Sequence, residues 1–134
     1  MSRVDIERID GVPIARVHED IDAANAAITQ QQLADALGPD ASSLVIDLSE
    51  TRYVDSAGID MLLRLSDRLD HRRSKLILVI PETSQLKRLA TIVGLPDAIA
   101  IHPTLPAAIQ DVAKPANAGP APLADPSKTT TGCR

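Results

Sequence analysis

The sequence predicts an α/β protein: a mostly parallel β-sheet with one antiparallel strand at its N-terminal end, packed with helices. Three observations point there. Residues 44–48 and 76–80 are almost continuously aliphatic, as strands buried on both faces are. Stretches of helical period separate the apolar runs. Near the start, Asp10-Gly11 joins two short β-like runs, the strongest short-range hairpin signal. Strands that alternate with helices after such a hairpin imply parallel crossovers.

The elements follow in order. Residues 3–9 alternate, with Val4, Ile6 and Ile9 set against Asp5, Glu7 and Arg8. Apolar character resumes over residues 12–17, where Pro13 has no N–H to donate and so belongs at the strand start. Asp20-Ile21-Asp22 ends the hairpin. Asp22 is the expected N-cap of a helix over residues 23–37, rich in Ala, Gln and Leu, and Gly38-Pro39 stops it. Residues 44–48 form the next strand. The helix after it carries an apolar stripe of Ile59, Leu62, Leu63, Ser66 and Leu69, flanked by Met61 and Leu65. Asp60, Arg64, Asp67, Arg68 and His71 take its other side. Residues 76–80 are a strand ended by Pro81, residues 84–93 a helix with Gly94 as its left-handed stop. A short strand over 99–101 and a helix over 105–112 complete the order β-β-α-β-α-β-α-β-α. Residues 1–113 thus make one domain. Residues 114–134 read as a flexible tail, with Pro115, Pro120, Pro122 and Pro126 among small residues and Leu123 the one large apolar side chain.

Composition narrows the function. The 134 residues are 44% hydrophobic, enough for a core, and Tyr53 is the only aromatic residue, so that core is aliphatic. Without aromatics to stack on bases, and with a formal charge of −4, nucleic acid is not an expected partner. No apolar run approaches the roughly 18 residues of a membrane span, so direct membrane insertion is not expected. The first residues lack the apolar region of a signal peptide, and a cytoplasmic protein is the expectation. Cys133 is the sole cysteine, which excludes an intrachain disulfide and a cysteine metal cluster. His18, His71 and His102 lack metal-ligand spacing, and no cofactor is expected. The basic run Arg68, Arg72, Arg73 and Lys75 reads as a solvated helix end that suits the C-terminal dipole.

The chemistry concentrates in Val54-Asp55-Ser56-Ala57-Gly58-Ile59, where a serine sits between a buried strand and a helix, beside a carboxylate. Val54 to Gly58 lacks the first glycine of a Gly-x-Ser-x-Gly nucleophile elbow, and no base is evident nearby, so catalysis is not expected. No Gly-x-x-x-x-Gly-Lys-Ser/Thr loop supports nucleotide binding or hydrolysis. Two roles for Ser56 remain. As an N-cap, its oxygen would accept a backbone N–H of the helix. As a phosphoacceptor, it would place phosphate against unpaired N–H groups and the positive end of the helix dipole. The phosphate would add about −1.5 to −2 charge beside Asp55 and Asp60, with Asp20 or Asp22 expected close in space, so repulsion would fall on any partner at this face. Gly58 suits both roles, leaving room for close backbone approach at a cost in helix stability.

Residues 48–59, Leu-Ser-Glu-Thr-Arg-Tyr-Val-Asp-Ser-Ala-Gly-Ile, resemble the signature of the STAS domain, most of all that of the bacterial anti-sigma factor antagonists. Asp20-Ile21-Asp22 resembles the family's Gly-Glu-(Leu/Ile)-Asp segment, and Leu86-Lys87-Arg88-Leu89 through Gly94-Leu95 its late helix and exit. The resemblance spans about residues 3–113. It implies a partner switch: the unphosphorylated protein binds an anti-sigma factor that is also a serine kinase and so releases the sigma factor. Phosphorylation weakens the complex, and a serine phosphatase restores it. Carried over by position, Ser56 matches the phosphoserine, Asp55 the acidic residue before it, and Asp22 the acidic residue ahead of the first helix. Asp20, Asp22, Asp55, Ser56, Ala57 and Gly58 form the implied partner surface. Glu19 replaces the family's usual glycine, Ala57 is a common variant at the second serine position, and the tail is an extra. Two other STAS roles stay open: a scaffold in a stress-sensing assembly, and a cytoplasmic accessory subunit of a lipid or anion transporter.

Overall fold

Asp10 and Gly11 both take positive φ, 53° and 80°, the backbone of the tight hairpin turn that joins β1 (Val4–Ile9) to β2 (Val12–Val17). That turn sets the antiparallel register, Val4 opposite Val17 and Ile9 opposite Val12. Pro13 lies beside Arg8 of β1, and pairing of β2 with β3 begins one residue later at Ile14. In this computed structural model residues 4–37 and 43–113 are described. The expected Gly38-Pro39 stop and the 114–134 tail lie outside them.

The remaining elements are α1 (Ala26–Leu37), β3 (Ser43–Asp47), α2 (Ser56–His71), β4 (Lys75–Val79), α3 (Gln85–Ile92), a 3-10 turn (Leu95–Asp97), β5 (Ala100–His102) and α4 (Leu105–Ala113). The strands line up in chain order, β1-β2-β3-β4-β5, antiparallel for the first pair and parallel thereafter.

Alternation along the strands divides the core. Ala15, Val17, Leu44, Ile46, Leu76 and Leu78 face one way, against Leu33 of α1, Leu62 and Leu65 of α2 and Leu86 of α3. Ile14, Val45, Ile77 and Val79 face the other way, against Ala108 of α4. The central strands are therefore apolar on both faces because helices cover both.

Several expected boundaries move. Regular α1 starts at Ala26 rather than residue 23, because residues 23–25 wind as a turn around Asp22. The Asp22 Oδ1 accepts the N–H groups of Ala24 (2.9 Å) and Asn25 (3.2 Å), and Asn25 Oδ1 accepts that of Asp22 (2.9 Å). This is the reciprocal arrangement of a capping box. β5 begins at Ala100, because the Ile99 N–H still turns back to Leu95 O (3.0 Å) behind the 3-10 turn and is not free for the sheet. β3 and β4 each sit one residue earlier than expected, at Ser43–Asp47 and Lys75–Val79. Leu48 and Ile80 follow the ladders, still bonded to Val79 O and His102 O and fully buried.

The stripe of α2 is also rotated from its expected position. Gly58, Met61, Leu62, Leu65, Ser66 and Leu69 are buried, whereas Leu63 is 38% exposed. α1 packs directly against α2 while α3 stands off from it, so the flank carrying Leu63 stays uncovered. The late helix spans Gln85–Ile92, with the Ser84 hydroxyl accepting the Leu86 N–H (3.1 Å) and Gly94 in the left-handed region at φ 75°.

Candidate functional site

The site is built where two connections meet, the segment after β2 and the loop from β3 to α2. Ile21 and Val54 form a short parallel bridge outside the sheet: Ile21 N–H donates to Tyr53 O (3.1 Å) and Asp55 N–H to Ile21 O (3.0 Å). Asp20 Oδ1 accepts the N–H groups of Arg52 (2.9 Å) and Tyr53 (3.1 Å). Thr51, buried in the loop, donates its hydroxyl to the carbonyls of Val17 and Glu19. Asp20, Asp22 and Asp55 are thereby gathered at one corner, at the start of α2.

Asp55, not Ser56, is the N-cap of α2. Its Oδ1 accepts the Gly58 N–H at 3.0 Å, and its backbone is extended. The N-cap role weighed for Ser56 thus belongs to its neighbour. Ser56 is the first helical residue and exposed. Its hydroxyl is free of the capping duty and stands beside the orphan N–H groups of the first turn. Asp55 Oδ2 accepts the N–H of Ala23 (3.2 Å), the first residue of the turn that opens α1. One carboxylate therefore satisfies two helix starts.

Gly58 is buried because α2 approaches the Ile21–Val54 bridge there. A Cβ at residue 58 would stand 2.4 Å from Val54 Cγ1 and 2.9 Å from Ile21 Cγ2. The glycine serves close packing under the site, and Ala57 above it is half-buried.

Beside Ser56 runs an open groove between α2 and α3. Tyr53, Ile59, Leu63, Leu89 and Val93 line it, with Asp55, Ser56 and Asp60 at its rim. A larger polar crevice lies past the ends of β3 and β4, between Glu50, Thr51, Arg52 and Thr83. The strands run in chain order, so no reversal of strand order opens a ligand crevice there.

The three histidines are held apart by separate carboxylates or carbonyls. His18 lies between Asp5 (2.8 Å) and Glu50 (3.1 Å), His71 contacts Asp67 O (2.8 Å), and His102 meets Asp111 (2.8 Å). The hydrogen bond to Glu50 and the one to Asp5 raise His18 above its ordinary value. Burial pushes Asp111 up, but hydrogen bonds from Lys75 and His102 outweigh it and hold the carboxyl below its ordinary value. Among the described residues no group of His, Cys, Asp and Glu is placed to hold a metal ion, and no helix is long and apolar enough to cross a membrane. Arg68, Arg72 and Arg73 are exposed at the end of α2, and Lys75 reaches Asp111 across to α4.

Sequence reasoning missed Thr51, Asn25 and Ala23. Asn25 had a legible signal, the Asp-x-x-Asn spacing of a capping box. Thr51 and Ala23 act through contacts with residues more than thirty positions away, which no local pattern announces.

A family model described as the STAS domain matches residues 3–108. Among solved structures, the chain is similar to an anti-sigma factor antagonist from Mycobacterium paratuberculosis, at 25% identity and TM-score 0.74, over 83% of this chain and 93% of that one. It shares its fold with the Bacillus cell-fate determinant SpoIIAA in phosphorylated form, at 17% identity and TM-score 0.60, over 81% and 98% of the two chains. It also shares it with part of the murine anion transporter Slc26a9, at 24% identity and TM-score 0.67, over 79% of this chain and 18% of that one. No curated protein matches the sequence.

Proposed function

The chain belongs to the STAS domain family, and from that premise we propose that it is an anti-sigma factor antagonist gated at Ser56. Unmodified, it binds an anti-sigma factor that is also a serine kinase, and the sigma factor is released. The kinase then transfers phosphate from ATP: the Ser56 Oγ bonds to the γ-phosphorus, the bond to the bridging oxygen breaks, ADP leaves, and the hydroxyl proton passes to a base of the kinase. A serine phosphatase hydrolyses the ester and resets the switch. This role places the protein in the cytoplasm, and the chain itself catalyses nothing.

The observation that carries this reading is the division of labour between neighbours. Asp55 holds the helix, so the exposed hydroxyl of Ser56 can be esterified without loss of the cap. The new phosphate meets the positive end of α2, and the fold accommodates it. The partner does not. It must bring nucleotide phosphate to Ser56 for transfer, and afterwards two anionic groups face each other. Asp20, Asp22, Asp55 and Ala57 form the contact surface around the serine, while buried Gly58 shapes it from beneath. A second reading, docking on a transporter, takes its support from the fold shared with Slc26a9.

Tagged wild-type, Ser56→Ala and Ser56→Asp proteins test it as baits in lysate of the native host. The expected result is an ATP-binding protein retained by wild type and Ser56→Ala, lost with Ser56→Asp, and phosphate on Ser56 of the wild type. Transporter subunits recovered with all three baits would replace the switch with the second reading.

A further inference from the structure

β1 (Val4–Ile9) ends the sheet: β2 pairs with it on one side, and among the described residues no strand lies on the other. The tight turn at Asp10-Gly11 makes Ile9 and Val12 a hydrogen-bonded pair, so Asp5, Glu7 and Ile9 direct their N–H and C=O groups to β2. Val4, Ile6 and Arg8 then direct theirs outward, to the free edge. Pro13 agrees with this alternation, because it sits opposite Arg8, where the missing N–H would have faced away from β1. An edge of this kind is a template for another strand.

The side chains along this edge differ by face. Val4 and Ile6 lie on the α1 side, where Ile6 is 44% exposed. α1 packs on β1 and β2, and its Ala34 and Leu37 line the cleft with α2. Ile28, 54% exposed, therefore lies on the flank turned toward β1, and an aliphatic shelf borders the edge. The other face is acidic. Asp5, Glu7, Asp47 and Glu50 surround Arg16 and His18 there, four carboxylates against one guanidinium and one imidazole. α4 packs over β3, β4 and β5 instead. Asp5 and Glu7 stand on β1 itself, with side chains 79% and 42% exposed.

A second copy is the wrong occupant. Antiparallel self-pairing centred on Ile6 sets Asp5 opposite Glu7, and centred on Asp5 or Glu7 it sets that residue opposite itself. Each register brings like charges together. We propose that the free edge of β1 takes a strand from a different protein, an extended segment in which Lys or Arg flanks an aliphatic residue on both sides. Its backbone bonds to Val4, Ile6 and Arg8, its aliphatic side chain packs on Ile6 and Ile28, and its cations sit over Asp5 and Glu7. The charges that keep a second copy off the edge thus select a partner of opposite charge. This surface includes none of the residues around Ser56 and does not rest on the antagonist reading.

The test titrates the full, isotope-labelled chain with the peptide acetyl-Thr-Lys-Val-Lys-Val-Lys-Thr-amide, and with its counterpart carrying Glu in place of Lys. Amide shifts and hydrogen exchange are followed by NMR. The Lys peptide should move the Val4, Ile6, Arg8 and Ile28 signals and, at saturation, slow exchange of the Val4, Ile6 and Arg8 N–H groups at least tenfold. The Glu peptide should bind at least tenfold more weakly. Ile6→Pro removes an outward donor and no bond to β2, so it should keep the fold and lower affinity for the Lys peptide at least tenfold. Glu7→Lys, which leaves every backbone group in place, should narrow or reverse the preference between the peptides. No binding of the Lys peptide, equal binding of the two, or shifts scattered over the acidic surface without slowed exchange at the edge would each overturn the proposal. Slow exchange at Val4, Ile6 and Arg8 before any peptide is added would also overturn it, since a second copy or residues 114–134 would then hold the edge already.

Discussion

Asp55 accepts the backbone N–H of Ala23 at 3.2 Å, across a separation of 32 residues, while capping its own helix through the Gly58 N–H at 3.0 Å. The two helix starts that frame Ser56 are therefore held by one side chain. Replacing it removes both bonds. Asp55→Ala should lower stability by about 1–2 kcal/mol, the upper part of the range for a lost cap. Asp55→Asn keeps an acceptor for Gly58 but turns a donor toward Ala23, and should fall between. Urea unfolding of the three proteins reads this directly, and an Asn variant as weak as the Ala variant would mean that the Gly58 bond carries little.

Gly58→Ala should destabilise although alanine is the better helix former. The added methyl meets Val54 Cγ1 at 2.4 Å and Ile21 Cγ2 at 2.9 Å, so the helix or the Ile21–Val54 bridge must shift. Overpacking of this kind costs about 1–3 kcal/mol, against a helix-propensity gain of about 1 kcal/mol. A net loss in thermal unfolding is the expected outcome, and a rise in Tm would show that the bridge yields easily.

His18 should make stability depend on pH near neutrality. Both ring nitrogens face carboxylates, Asp5 at 2.8 Å and Glu50 at 3.1 Å, and only the imidazolium can donate to both. Its folded pKa is raised above the ordinary 6.5, first by the hydrogen bond to Glu50. A raised value means that the stabilisation is fully present below 6.5 and is lost as pH rises through the folded value. His18→Gln should flatten the stability profile in that window. Because Asp5 and Glu50 are well exposed, high salt should flatten it too.

Asp111 should act at the acid end, with the opposite sign. Lys75 (2.7 Å) and His102 (2.8 Å) outweigh burial and hold its folded pKa below the ordinary 3.8. Its contribution is present above 3.8 and is lost as pH falls through the folded value. Since Asp111 joins α4 to β4 and β5, Asp111→Asn should weaken the protein at neutral pH and reduce its further loss in acid. Tyr53 is the only aromatic residue and is already half exposed in the folded protein, so circular dichroism against pH is the suitable readout.

By itself the sequence determined the element order, the hairpin at Asp10-Gly11, the doubly buried strands and the position of Ser56 at a helix start. These are local matters of φ preference, apolar period and cap chemistry within a few residues. The tertiary structure decided what no window contains. It assigned the cap to Asp55 rather than Ser56, because the Asp55 carboxylate sits between two segments that only the Ile21–Val54 bridge brings together. It exposed Leu63 while burying Met61 and Leu65, because α3 stands off from α2. Period reveals that a helix has an apolar side, but the neighbours that cover that side are chosen by the fold, which leaves the strip beside Ser56 uncovered.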